Sequence, residues 1–130
     1  MHEIKEKYPH LRVILNGGIT DMTQIDDAKA LDGVMIGREA YQNPYWLSEI
    51  ERKMLGHHDI LGRDNVARSM IPYINAQMER FGTPVKSITR HMMGLYHHQP
   101  GAKQWRRALS RLPYEDGADG SVIEKAIAEK

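Results

Sequence analysis

The 130-residue chain contains no cysteine and no long hydrophobic run. Without cysteine it has no disulfide, no zinc–thiolate site and no cysteine nucleophile or acid. No apolar stretch approaches the roughly 20 residues that span a bilayer, and the N-terminal sequence MHEIKEKYPH lacks the apolar core of a secretion signal. We therefore expect a cytoplasmic protein with no membrane partner.

The chain also has little excess charge of either sign, with a formal net charge of +1. A nucleic-acid partner would therefore have to be bound by a local basic face. Histidine is frequent and occurs twice as an adjacent pair, at 57–58 and 97–98. Neighbouring side chains diverge on a helix and no carboxylate stands at a ligand spacing, so we expect no metal site.

Two strand–helix units are predicted in the first half of the chain. Residues 11–15 and 33–36 are short apolar runs closed by glycine, which is typical of parallel strands buried on both faces. The helix after the first strand begins at Asp21, which has the capping-box spacing with Gln24. The apolar residues of that helix share one face: Ile25, Ala28 and Leu31.

The helix of the second unit is predicted over residues 45–55, with Asn43 as N-cap, Pro44 in its first turn and Gly56 as its end. After Gly56 the pattern favours helices alone. These helices are predicted over residues 64–81 with Asp64 as N-cap, over 85–96, over 102–112, and from a Ser121–Glu124 capping box to the C-terminus. We place the domain boundary between residues 1–56 and 57–130.

Two parallel strands do not form a stable sheet alone, because such strands need neighbours at both edges and helices on both faces. Successive strand–helix units with glycine after each strand are typical of the end of a (β/α)8 TIM barrel. The predicted fold class is therefore α/β plus all-α: the last two units of such a barrel, followed by a C-terminal helical bundle. We expect residues 57–130 to fold autonomously and residues 1–55 to fold poorly.

The two glycine turns are candidates for phosphate binding. Gly17-Gly18 and Gly37-Arg38 both follow strands, at the end of a barrel sheet where ligands bind. Glycine lets a phosphate approach the backbone N–H groups, the next helix N-terminus favours negative charge, and Arg38 adds a charged donor. The alternative is that these glycines only close tight turns. Flavin mononucleotide (FMN), a sugar phosphate and a nucleotide would all fit.

Three stretches narrow these alternatives. VILNGGI at residues 13–19, DGVMIGREAYQNPY at 32–45 and ITRHMMGLYHHQPGAKQWRRALS at 88–110 closely resemble the C-terminal third of A-type tRNA-dihydrouridine synthases. The resemblance implies an FMN-dependent barrel with a C-terminal helical domain that binds tRNA. It also implies reduction of D-loop uridine to 5,6-dihydrouridine with NADPH as electron donor.

The resemblance also implies roles for individual residues. The flavin-phosphate contacts of the family fall on Asn16, Gly17, Gly18, Gly37 and Arg38. The proton-donating cysteine of the family lies on an earlier barrel loop, so no catalytic residue is assigned here. We expect the chain alone to be inactive and the N-terminal part of the barrel to be a partner that it needs.

A basic helix face is the candidate RNA surface. On a helical wheel, Trp105 shares the core face with Ala108, Leu109 and Leu112, whereas Lys103, Arg107 and Arg111 lie opposite, with Gln104 and Arg106 at the edges. Such a face is also ordinary for any amphipathic helix. With the resemblance, the predicted tRNA-binding residues are Arg90, Gly101, Lys103, Gln104 and Arg107.

Two other functions fit parts of the pattern. One is a different FMN- or phosphate-binding TIM-barrel enzyme, which has no reason to carry a basic helical domain. The other is a stand-alone helical RNA-binding module. Flavin binding by the purified chain distinguishes the module from the synthase.

Overall fold

The computed structural model describes residues 1–130 and contains α-helices, two 3-10 helices and one two-stranded parallel sheet. The helices are α1 (His2–Lys7), α2 (Met22–Asp27), α3 (Arg38–Gln42), α4 (Trp46–Leu55), α5 (Arg63–Phe81), α6 (Val85–Thr89), α7 (Ala102–Leu109) and α8 (Val122–Glu129). The strands are β1 (Ile14–Asn16) and β2 (Gly33–Met35), and the 3-10 helices are Met93–Tyr96 and Leu112–Tyr114. None of the helices is long and apolar enough to span a lipid bilayer.

The chain divides into two compact units, Met1–Tyr41 and Gln42–Lys130. Helix α4 therefore groups with the helical unit, whereas the sequence placed it with the strands before a boundary at Gly56. Gly56 does end α4, in the left-handed conformation with φ 69°. Where the functional domains divide stays a prediction.

In the first unit, one face of the sheet is covered. Strands β1 and β2 pair in parallel with Leu15 opposite Val34. Both side chains pack on a small core of Val13, Ala28 and Leu31, which α2 and its C-terminal turn help to form. The Asp21–Gln24 capping box is confirmed. Ile25, Ala28 and Leu31 are buried as predicted, but α2 ends at Asp27, so Ala28 is its C-cap and Leu31 lies beyond the helix.

The opposite face of the sheet is open. Ile14 and Met35 are 45% and 49% exposed, because the sheet has only two strands and no layer of the unit covers this side. The expectation that both faces are buried is therefore wrong for this chain. A small parallel sheet with strand–helix connections is consistent with part of a TIM barrel.

The helical unit has a larger core, in which the most buried side chains include Ile74, Trp105 and Ile123, all at 0% exposure. They belong to α5, α7 and α8, which pack on one another. The indole N–H of Trp105 donates a hydrogen bond of 2.9 Å to the carbonyl oxygen of Met92. The prediction that Trp105 is a core residue is confirmed.

Residues 85–96, predicted as one helix, form α6 and then the 3-10 helix Met93–Tyr96. Gly94 lies in this 3-10 helix, where a Cβ would be 2.2 Å from the carbonyl oxygen of Gln42. Glycine at position 94 therefore lets this 3-10 helix pack closely against the backbone at Gln42. Helix α7 ends at Leu109 and not at residue 112 as predicted. Pro113 has no N–H to continue an α-helix, and it is buried in the next 3-10 helix.

Three predicted caps are wrong. Helix α4 has Tyr45 as its N-cap and α5 has Gly62, one residue before its first helical residue. Ser121 makes no capping bond because its own backbone is already helical, with φ −64° and ψ −13°. Glu124 is paired instead with Arg68, at 2.6 Å between carboxylate and Nε.

Candidate functional site

The strand register places the two glycine turns side by side. Asn16, the last residue of β1, lies opposite Met35, the last residue of β2. Gly17 and Gly18 follow the first strand, and Gly37 follows the second after one residue. The turns therefore leave the sheet at the same end, as a shared cradle requires.

The backbone of the first turn can be adopted readily only by glycine. Gly17 and Gly18 have φ of 127° and 64°, values that residues with a side chain rarely adopt. A Cβ built on either residue meets nothing within 4 Å, and the same holds at Gly37, whose φ is not positive. Neither the backbone conformation nor the neighbouring atoms therefore require a glycine at position 37. The space beside all three glycines is open to a ligand.

Gln24 holds the first turn in place. Its amide nitrogen donates to the Gly18 carbonyl oxygen at 2.9 Å, and its Oε1 accepts from the Thr20 N–H at 2.7 Å and the Asp21 N–H at 3.2 Å. The sequence pattern assigned Gln24 only to the capping box. Its bond to Gly18 was missed, because the path of a glycine turn does not follow from spacing.

Arg38 is exposed and begins α3, directly after Gly37. Helix α3 has five residues and α2 has six. Helices this short have small dipoles, so the expected contribution of the helix N-termini to anion binding is minor. What the turns offer an anion is open backbone at the glycines, the Asn16 side chain and the guanidinium of Arg38.

The start of the sheet is held by Asp32. Its carboxylate accepts from the Val13 N–H at 2.7 Å and from the Lys5 ammonium at 2.8 Å. The hydrogen bond from Lys5, followed by that from Val13, lowers the pKa of Asp32. This bridge ties the two strands at the end opposite to the glycine turns.

The predicted basic face lies on the exposed side of α7. Lys103, Arg106 and Arg107 are exposed and make no ion pair, so their charges remain available to a partner. Arg111 differs, because it pairs with Glu115 at 3.3 Å and also with Glu129. Gln104 is exposed beside these cations.

The two remaining predicted RNA residues differ in character. Arg90 follows α6, is exposed, and its Nε lies 3.2 Å from His91 Nε2. Gly101 caps α7 with φ 84°, and a Cβ there would be 2.9 Å from Cβ of Lys130. Its conformation and packing therefore account for a glycine at this position without any RNA contact.

No group of three or more His, Asp or Glu side chains that could hold a metal ion is present.

Comparison with known proteins identifies the family. The family model described as dihydrouridine synthase (Dus) matches residues 1–129. The chain belongs to the dihydrouridine synthase family. It is 42% identical over 130 residues to the tRNA-dihydrouridine(20/20a) synthase of Vibrio cholerae, covering 98% of this chain and 39% of that protein. It is 41% identical over 128 residues to the protein of the same name from Shewanella oneidensis, covering 97% and 38%.

The corresponding synthase of Escherichia coli K12 is 44% identical over 133 residues, covering 98% of this chain and 37% of that protein. The chain thus spans about two fifths of the length of the curated relatives it matches. Both glycine turns and the basic face of α7 lie within the matched residues.

Proposed function

We propose that this chain supplies the flavin-phosphate grip and the tRNA-binding helices of an A-type tRNA-dihydrouridine synthase. That enzyme uses FMN and NADPH to reduce uridine to dihydrouridine in the tRNA D-loop. The observation that carries the proposal is the family match over residues 1–129. With no cysteine, the chain has no thiol to protonate the base, so it depends on the remaining part of the barrel for chemistry.

The residues of the glycine turns fit the phosphate of FMN. Open space at Gly17, Gly18 and Gly37 lets phosphate oxygens reach the backbone. Arg38 offers a charged donor and Asn16 an amide at the same end of the sheet. FMN, when bound, supplies the hydride chemistry; these residues bind its phosphate and orient it.

The phosphate grip is tested by comparing FMN with riboflavin, which lacks the phosphate, in a flavin-fluorescence titration. We expect the chain to bind FMN about tenfold or more tightly than riboflavin, because charge-assisted hydrogen bonds are worth about 1.5–3 kcal/mol. Arg38→Ala reduces the difference between the two flavins. Arg12→Ala, which removes an exposed arginine of the same unit, leaves it unchanged.

Gly37→Ala is the more specific variant. Because a Cβ at this position meets nothing within 4 Å, the substitution leaves the folded chain unstrained. A loss of FMN affinity without loss of stability would then place the ligand at this glycine. Equal binding of FMN and riboflavin would contradict the proposed grip.

The proposed tRNA contacts lie on the basic face of α7, where Lys103 and Arg107 are exposed and make no ion pair. We propose that they, with Arg90, Gln104 and the backbone at Gly101, contact tRNA phosphates. Affinity for unmodified tRNA should fall with salt, because each neutralised phosphate releases counterions. Lys103→Ala/Arg107→Ala should weaken binding and lower the salt slope by about one to two.

The matched control is Arg80→Ala/Lys125→Ala, which removes the same charge from exposed positions of α5 and α8. It should change neither the affinity nor the slope. If neither double substitution changes the affinity for tRNA, the basic face of α7 is an ordinary solvated surface and the proposed contacts are wrong.

A further inference from the structure

Two adjoining grooves cross the helical unit beside α7. One has a volume of about 530 Å³ and the other about 350 Å³. They share Tyr45, Arg63 and Gln99 in their walls, so they lie side by side and together form a depression with a common wall. We call this depression the Arg63 groove.

The shared wall of the Arg63 groove is fixed by hydrogen bonds. The hydroxyl of Tyr45 donates to the Leu61 carbonyl oxygen at 2.7 Å. The guanidinium of Arg63 lies 4.2 Å from the centre of the Tyr45 ring and donates to the Leu95 carbonyl oxygen at 2.8 Å. The wall therefore keeps its shape before a ligand arrives, which lowers the ordering cost of binding.

The charge of the groove is predominantly positive. Five cationic side chains line it, of which Arg68 is paired with Glu124 at 2.6 Å: Arg52, Lys53, Arg63, Arg68 and Lys130. Its two carboxylates already have cationic partners, since Glu49 lies 3.0 Å from Lys53 and Asp64 lies 3.0 Å from Lys130.

Arg52 is exposed on α4 and makes no ion pair. Because the whole chain carries a net charge of only +1, this groove is a local concentration of positive charge.

The groove also presents flat polar rings. His97 and His98 line it with ring centres 3.8 Å apart, and His98 is the one non-glycine residue with a positive φ, 57°. A charged depression open to solvent, without an enclosed apolar pocket, suits an extended polyanion better than a small molecule. Imidazole rings beside cations are typical of surfaces that hold single-stranded RNA segments.

The Arg63 groove ends beside the start of α7. Gln99 and Pro100 form its edge, and Gly101 follows directly as the N-cap of α7. We propose that the Arg63 groove is a second RNA-binding surface, which takes the sugar–phosphate backbone of tRNA where it continues past the start of α7. This inference rests on the proposed tRNA-binding function and extends it to residues outside the predicted set.

The test is a salt-titrated tRNA-binding assay of the 130-residue chain with Arg52→Ala/Lys53→Ala. Both side chains are exposed on α4, so the melting temperature should not change. We expect binding to weaken about 5- to 10-fold and the salt slope to fall by about one, because Arg52 makes no ion pair and would neutralise about one phosphate, whereas Lys53 is already paired with Glu49. Arg80→Ala/Lys125→Ala again serves as the charge-matched control and should bind as the unsubstituted chain does.

His98→Gly is the second variant, because glycine accepts the positive φ while the imidazole is removed. It should weaken binding with little effect on the salt slope. If Arg52→Ala/Lys53→Ala binds tRNA like the control while Lys103→Ala/Arg107→Ala binds it weakly, the groove is not an RNA-binding surface. The proposed function would be unaffected by that result. Equal weakening by groove and control variants would also overturn the groove proposal, and no tRNA binding by the unsubstituted chain would overturn both.

Discussion

Replacing Trp105 tests the packing of the helical unit most directly. Trp105 is fully buried, its ring centre lies 4.7 Å from that of Tyr96, and its indole N–H bonds to the Met92 carbonyl oxygen. Trp105→Ala leaves a large cavity and should cost about 3–5 kcal/mol. Trp105→Phe keeps part of the ring and removes the hydrogen bond, so we expect about 1–3 kcal/mol.

These costs are large for a unit of this size, whose total stability should be about 4–13 kcal/mol. With a urea slope of about 1.5 kcal/mol per molar, Trp105→Ala lowers the unfolding midpoint by about 2–3 M. Circular dichroism is the appropriate signal, because the second tryptophan, Trp46, would complicate fluorescence. Trp46→Ala is the matched control and should cost less, since Trp46 is only half-buried. A midpoint shift below about 0.5 M for Trp105→Ala, with an unchanged slope, would refute this account of the core.

Three further predictions follow from single contacts. The hydroxyl of Tyr96, and then Lys130, lower the pKa of Asp64, so its contribution to stability is present above about pH 4 and is lost as the pH falls. Asp64→Asn should therefore cost up to about 1 kcal/mol at pH 7 and less at pH 3, measured by urea unfolding at both pH values. A cost that does not depend on pH would contradict the role of the charge. Gly94→Ala places a methyl group 2.2 Å from the Gln42 carbonyl oxygen and should lower the free energy of unfolding by more than about 2 kcal/mol. Its control is Gly62→Ser, where a side chain has open space. That variant should change the free energy of unfolding by no more than about 0.5 kcal/mol, measured by thermal unfolding. Gln24→Ala removes four hydrogen bonds around the first glycine turn and should weaken FMN binding several-fold. Thr23→Ala, which changes an exposed neighbour, should leave the affinity unchanged in the same fluorescence titration.

Periodicity predicted the parts of the fold that depend on apolar spacing. The face of α2 with Ile25, Ala28 and Leu31 is buried, and Trp105 lies in the core with Leu109. The spacing of apolar residues predicts which positions are buried, even though α2 ends at Asp27, before Ala28 and Leu31.

Helix ends were predicted less well because they depend on contacts distant in sequence. The close approach of Gly94 to Gln42 involves residues about fifty positions apart, and the missing cap at Ser121 reflects a backbone that is already helical. Neither feature leaves a mark on local spacing.

The candidate site followed from sequence only in part. The adjacency of the two glycine turns was expected from the strand–helix spacing, and the register supports it. The role of Gln24 beyond the capping box and the Arg63 groove were not foreseen, since each joins residues from several elements. The resemblance to a known family supplied what physical reasoning from the residues left open, namely which phosphate compound and which nucleic acid.

The side chain of Gln24 has a consequence for the energetics of ligand capture. It joins the first turn of α2 to the Gly18 carbonyl, so the most flexible residues of the chain are ordered when the unit folds. Two consecutive glycines lose more conformational entropy on ordering than any other pair. Here that loss is incurred during folding and not at the moment when a phosphate arrives. In the proposed function, the turn would therefore bind the flavin phosphate as a rigid receptor, with an affinity limited by contacts and desolvation.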